Sequence, residues 1–129
     1  MTPTTALISF GIITLAALMV EITYTYLARG FGYGFSSNRA VIERNGFGLR
    51  IQRAYQNQVE ATAYIVPILA AAALTGLSGS GVELAALLIV SGRALFVALY
   101  YTGIPFIRIV GFAGGSMGSL YLAYRLLVG

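Results

Sequence analysis

Residues 5–28 of this chain carry one charged side chain, Glu21, and three more apolar stretches follow over 50–77, 82–101 and 104–128. A helix needs about 20 predominantly apolar residues to cross the hydrocarbon core of a bilayer, so each stretch is read as one membrane span. Little chain remains for anything else. The expected architecture is an all-α membrane protein, a four-transmembrane-helix bundle forming a single domain over residues 1–129.

Composition agrees: 58% of the 129 residues are hydrophobic, 9% are charged, and the mean hydropathy is +0.83. The charge is carried by eight Arg and four Glu, a net +4 with no Lys, Asp or His. Spread over helix ends, it points to orientation in a membrane and not to nucleic acid as a partner. There is no Cys, so the chain has no disulfide framework and no thiol nucleophile of its own. Without His, zinc and imidazole chemistry are disfavoured as well. Any catalysis must draw on Arg, Glu, Tyr, Ser and Thr, or on a nucleophile brought by a cosubstrate.

Turn residues delimit the spans. Gly76, Ser78, Gly79, Ser80 and Gly81 make one short turn, and Thr102, Gly103 and Pro105 make another, with Pro105 suited to a helix start. The long connection, Arg29 to Gly48, is rich in Gly, Ser, Asn and Arg and is the candidate lid. The first span has no basic leader and no clear small-residue cleavage site, so it is expected to be retained. Arg29, Arg39, Arg44 and Arg50 lie in or beside the long connection, which places it on the cytoplasmic side, in a plasma (inner) membrane by preference.

Charges within spans are informative because each costs about 2.5–3.5 kcal/mol at a helix centre on insertion scales. In the second span Arg53, Asn57, Glu60 and Tyr64 follow spacings that stack them on one helical face, with Gln56 beside them. The third span adds Arg93 and Tyr100, seven residues apart, with Phe96 between, and the fourth opens on Arg108. Three helices are thus expected to aim polar groups at one cytoplasm-facing pocket. Two readings stand at this point. Glu60 neutralises one of the arginines as glue between helices, or the excess of Arg53, Arg93 and Arg108 over Glu60 prepares the pocket for an anionic guest. Glu21 pairs with an Arg nearby, or serves as the membrane carboxylate of a small multidrug transporter. Gly111, Gly114, Gly115, Ser116, Gly118 and Ser119 form a small-residue surface read as close helix packing.

The run Arg53-Ala54-Tyr55-Gln56-Asn57-Gln58-Val59-Glu60 resembles the R-A-x-x-N-x-x-E signature of the MAPEG family, the membrane-associated proteins in eicosanoid and glutathione metabolism. The likeness continues through Gly92-Arg93, Tyr100 and Pro105-x-x-Arg108 and includes Glu43-Arg44 and Arg50. Among its members, the microsomal glutathione transferases are ones that the chain resembles. The resemblance implies a homotrimer of four-helix subunits with glutathione as cosubstrate between them near the cytoplasmic face. It also implies a hydrophobic electrophile or lipid hydroperoxide as second substrate, arriving from the lipid bilayer. Carried over by position, Arg53, Gln56, Asn57, Glu60 and Arg93 hold or frame glutathione, while Arg108 and Tyr100 serve the thiol. Gln56 stands where some members have a second Arg, Phe96 where a prostaglandin synthase has His, and Phe112 where several have Tyr. Ala61 replaces a Tyr of leukotriene-conjugating members, which directs the expectation to detoxifying conjugation or peroxide reduction. A non-enzymatic lipid-binding branch of the same family is the alternative.

Overall fold

The protein is described by a computed structural model over residues 1–36 and 44–129, without the side chains of Ile107 and Arg108. Four helices follow one another: α1 (Pro3–Phe35), α2 (Gly46–Leu74), α3 (Ser80–Thr102) and α4 (Ile107–Val128). The first three are long and apolar enough to cross a membrane. Helix α1 packs on α2 and α3, α4 packs on α3 and α2, and among the described residues α1 and α4 do not meet.

Helix starts follow local chemistry. Thr2 caps α1, its hydroxyl accepting from the Thr5 amide at 3.1 Å ahead of Pro3 in the first turn. Asn45 caps α2, its Oδ1 accepting from the Gly48 amide at 2.8 Å. Gly103 ends α3 in the left-handed conformation, φ 73°, that a glycine adopts without penalty. Pro105 lies before α4 and not in its first turn, and Phe106 takes φ 71° at the junction.

The long connection is shorter than expected. Helix α1 runs on to Phe35, passing a kink at Gly30 (φ 81°, ψ 173°), and α2 begins at Gly46 and not near 50. Even the 27 helical residues before the kink, 3–29, exceed the ~30 Å hydrocarbon core at ~1.5 Å each, so α1 must tilt or project from it. Beyond the kink, Phe31 and Phe35 return to Tyr26, with ring centroids 4.9 and 5.8 Å away. Ring contacts, which local periodicity does not reveal, accompany the helix past its apolar stretch. Of the candidate lid, 29–35 and 46–48 belong to the two helices, and 37–43, Arg39 included, lies outside the described residues.

The small-residue surface is a contact between α3 and α4. A Cβ at Gly92 would lie 2.6 Å from the Gly111 carbonyl oxygen and 2.8 Å from the Gly115 nitrogen, and one at Gly118 2.7 Å from the Ala85 carbonyl oxygen. Only missing side chains permit this approach, where packing of backbone against backbone replaces the hydrophobic drive that lipid cannot supply. The interior consists of two apolar clusters. One gathers Phe10, Ile65, Leu69 and Ile89, and the other Ala17, Ala54, Phe96 and Val97. Large apolar side chains such as Ile12, Leu27, Leu74 and Leu127 face outward, as a lipid solvent allows.

Candidate functional site

Between the two apolar clusters lies a polar layer. On α1 Thr14 falls between Phe10 and Ala17, on α2 Gln58 between Ala54 and Ala61, and on α3 Arg93 between Ile89 and Phe96. Arg93 and Gln58 are fully buried. The Arg93 Nε donates to Gln58 Oε1 at 3.1 Å, and a terminal nitrogen donates to Asn57 Oδ1 at 2.9 Å. Gln58 Nε2 donates to the Thr14 hydroxyl at 3.0 Å, and that hydroxyl donates to the Phe10 carbonyl at 3.0 Å. A chain of hydrogen bonds thus joins α3, α2 and α1 at mid-bundle.

This is an unusual setting for a cation. No carboxylate pairs with Arg93 among the described residues, where the one ion pair is Glu21–Arg44. Its charge is met by two amide oxygens and by the Phe96 ring, 4.6 Å below the guanidinium carbon. The remaining terminal nitrogen is buried without an acceptor. Such a group is costly to bury, and the fork geometry that reaches two successive residues of α2 is what only Arg supplies.

The other α2 polar residues lie elsewhere. Its buried face runs Gly48, Ile51, Ala54, Gln58, Ala61, Ile65, Leu69 and Ala72, whereas Arg53, Gln56 and Glu60 are exposed on the opposite side. Asn57 is half-buried at the boundary. Within one chain, then, the structure brings Arg93 and Asn57 together but turns Arg53, Gln56 and Glu60 outward. The single intramolecular pocket expected from spacing is divided into an inner layer and an outer stripe. Tyr100 is half-buried, its ring 5.5 Å from that of Phe96, which in turn stands 6.1 Å from Phe112. The Arg108 side chain lies outside the described residues. Gln58 and Thr14 were not anticipated. Gln58 could be recognised as a polar residue inside the apolar 51, 54, 61, 65 periodicity, whereas Thr14 carries no such signal.

Glu21 is engaged by Arg44, whose other contacts are the Gly48 carbonyl at 3.2 Å and the Tyr24 ring at 4.9 Å. The pair fastens the end of the long connection to α1, with both side chains largely buried. Removing one partner leaves a poorly solvated charge, so Glu21→Gln and Arg44→Met are each expected to destabilise, with a coupling of about 1–2 kcal/mol in a double-mutant cycle read by thermal melting in detergent. Additive effects would show that the pair contributes nothing. Arg50 acts similarly nearby, its Nε donating to the Tyr101 carbonyl at 3.1 Å near the end of α3.

The model of the MAPEG family matches residues 2–128, nearly the whole chain. The chain belongs to the MAPEG family. Searches of curated proteins and of solved structures return no match. Membership makes this an integral membrane protein of a family of glutathione and eicosanoid metabolism that includes transferases, peroxidases and non-enzymatic members. The R-A-x-x-N-x-x-E run of this MAPEG chain lies on α2, where Arg53 and Glu60 bracket the polar stripe and Asn57 links it to the buried Arg93.

Proposed function

We propose that this chain is a membrane-bound glutathione-dependent transferase or peroxidase acting on hydrophobic electrophiles or lipid hydroperoxides. The observation that supports the reading most directly is the outward stripe of Arg53, Gln56, Asn57 and Glu60 on a helix long enough to span a membrane. Ionic groups on the outside of such a helix are costly against lipid, and a second copy of the chain with a polar guest between would cover them. A homotrimer enclosing glutathione meets both needs.

The chemistry fits the donor set. Glutathione carries two carboxylates, an ammonium and a thiol. Arg53 takes a carboxylate and Glu60 the ammonium, with Gln56 and Asn57 hydrogen-bonding between them. Arg108, permanently protonated, favours the thiolate, and Tyr100 donates to the sulfur or positions the peptide. In conjugation the thiolate forms a C–S bond and the electrophile's leaving group departs with its electron pair. In peroxide reduction two glutathiones and a hydroperoxide give glutathione disulfide, an alcohol and water. The 29–48 connection and the site face the cytoplasm, in the inner membrane.

Calorimetry on detergent-purified protein tests the reading. Saturable glutathione binding is expected, about tenfold weaker in Arg53→Ala, consistent with loss of one charge-assisted contact. Absence of binding at millimolar glutathione would refute it and favour the non-enzymatic lipid-binding role.

A further inference from the structure

We infer that Arg93 is a positioning residue that never touches glutathione and that sets the polarity of Asn57, making it a hydrogen-bond donor to the ligand; the inference rests on the glutathione reading. A guanidinium has donors and no acceptor, so the Asn57 atom facing Arg93 must be Oδ1, as the 2.9 Å contact records. The Asn57 amide cannot turn over without setting N–H against N–H in a buried place. Its Nδ2 donates to no described residue and is not among the buried unpartnered atoms, which leaves it accessible on a half-buried residue beside the outer stripe.

Arg93 itself cannot reach that surface. It has no exposure, two of its nitrogens are committed to Asn57 and Gln58, and Gly115 lies against its stem, where a Cβ would come within 3.1 Å of Cδ. Gln58 is held the same way, Oε1 toward Arg93 and Nε2 toward Thr14, so one guanidinium orients two adjacent amides. The stripe then has a direction along α2. Arg53 and Asn57 offer donors and Glu60 an acceptor, over about 10 Å of helix rise from 53 to 60. A ligand lies with a carboxylate or carbonyl over Arg53 and Asn57 and its ammonium at Glu60.

Asn57→Asp separates this role from a structural one. The substitution keeps the shape and the acceptor that Arg93 uses and gives the buried cation a carboxylate, so the melting temperature should hold or rise. It removes both outward donors, so glutathione affinity should fall at least tenfold. Unchanged affinity in Asn57→Asp, with wild type binding, would overturn the inference and leave the glutathione reading standing; a wild type that does not bind overturns the reading and this inference with it. Arg93→Lys is the second arm. A single ammonium holds the two amides less firmly, so binding should weaken several-fold, and by the same factor for S-methylated glutathione as for glutathione, because the thiol is not what Asn57 reads. Arg93→Lys that melts lower yet binds as wild type would also overturn the inference.

Discussion

Replacing Gly92 with leucine is expected to abolish the folded bundle, and replacing it with alanine to cost more than about 2 kcal/mol. A Cβ there would meet backbone atoms of Gly111, Gly115 and Gly114 at 2.6, 2.8 and 3.2 Å. Backbone in a neighbouring helix cannot swing aside as a side-chain tip can. The helices must separate, and overpacking of this kind costs ~1–3 kcal/mol or more even for small additions. Separation would also draw Gly115 from Arg93 and loosen the polar layer. Gly114→Ala is the control, since its Cβ would find the Leu88 carbonyl oxygen at 3.5 Å, an ordinary contact. Thermal melting in detergent should therefore rank wild type and Gly114→Ala together, Gly92→Ala well below, and Gly92→Leu without a cooperative transition. Equal stability of the two alanine variants would show that α3 and α4 do not pack through Gly92.

Arg108→Leu should lower conjugation by roughly 3–25-fold near pH 7, with oligomer and glutathione binding largely retained. An ordinary thiol of pKa ~8.5 is only a few per cent ionised at pH 7, whereas one lowered by about two units is mostly thiolate. The stabilised thiolate is a somewhat weaker nucleophile, which offsets part of that gain. The pH profile is the sharper diagnostic. The ionised form reacts, so the wild-type rate is lost as pH falls through the lowered thiol pKa and is flat above it. In the variant the rate should keep climbing through pH ~8.5 and should meet or pass that of the wild type at high pH, where both thiols are ionised and the unstabilised thiolate is the stronger nucleophile. A variant with wild-type rate and profile would remove Arg108 from the mechanism.

The architecture was legible because lipid imposes it. Spans of about 20 apolar residues allow few alternatives, and Glu21, Arg53, Glu60, Arg93 and Arg108 stand out against them. Boundaries were less legible. Hydropathy ends α1 near 28 and says nothing of the aromatic contacts that accompany the helix to Phe35. Small residues on α4 announced close packing, yet that Gly92 of α3 is the counterpart is a fact of two helices and not of one.

Helical spacing placed Arg53, Asn57 and Glu60 on one face by themselves, because periodicity is local and needs no neighbour. It left open whether that face turns toward the bundle or away from it. The tertiary structure decided that Arg53 and Glu60 face outward and that Arg93, which on sequence grounds belonged with them, is enclosed with Gln58 and Asn57. The reason is physical: a buried guanidinium takes whatever acceptors the packing of three helices brings within reach, and only α1, α2 and α3 together supply the layer from Arg93 through Gln58 to Thr14.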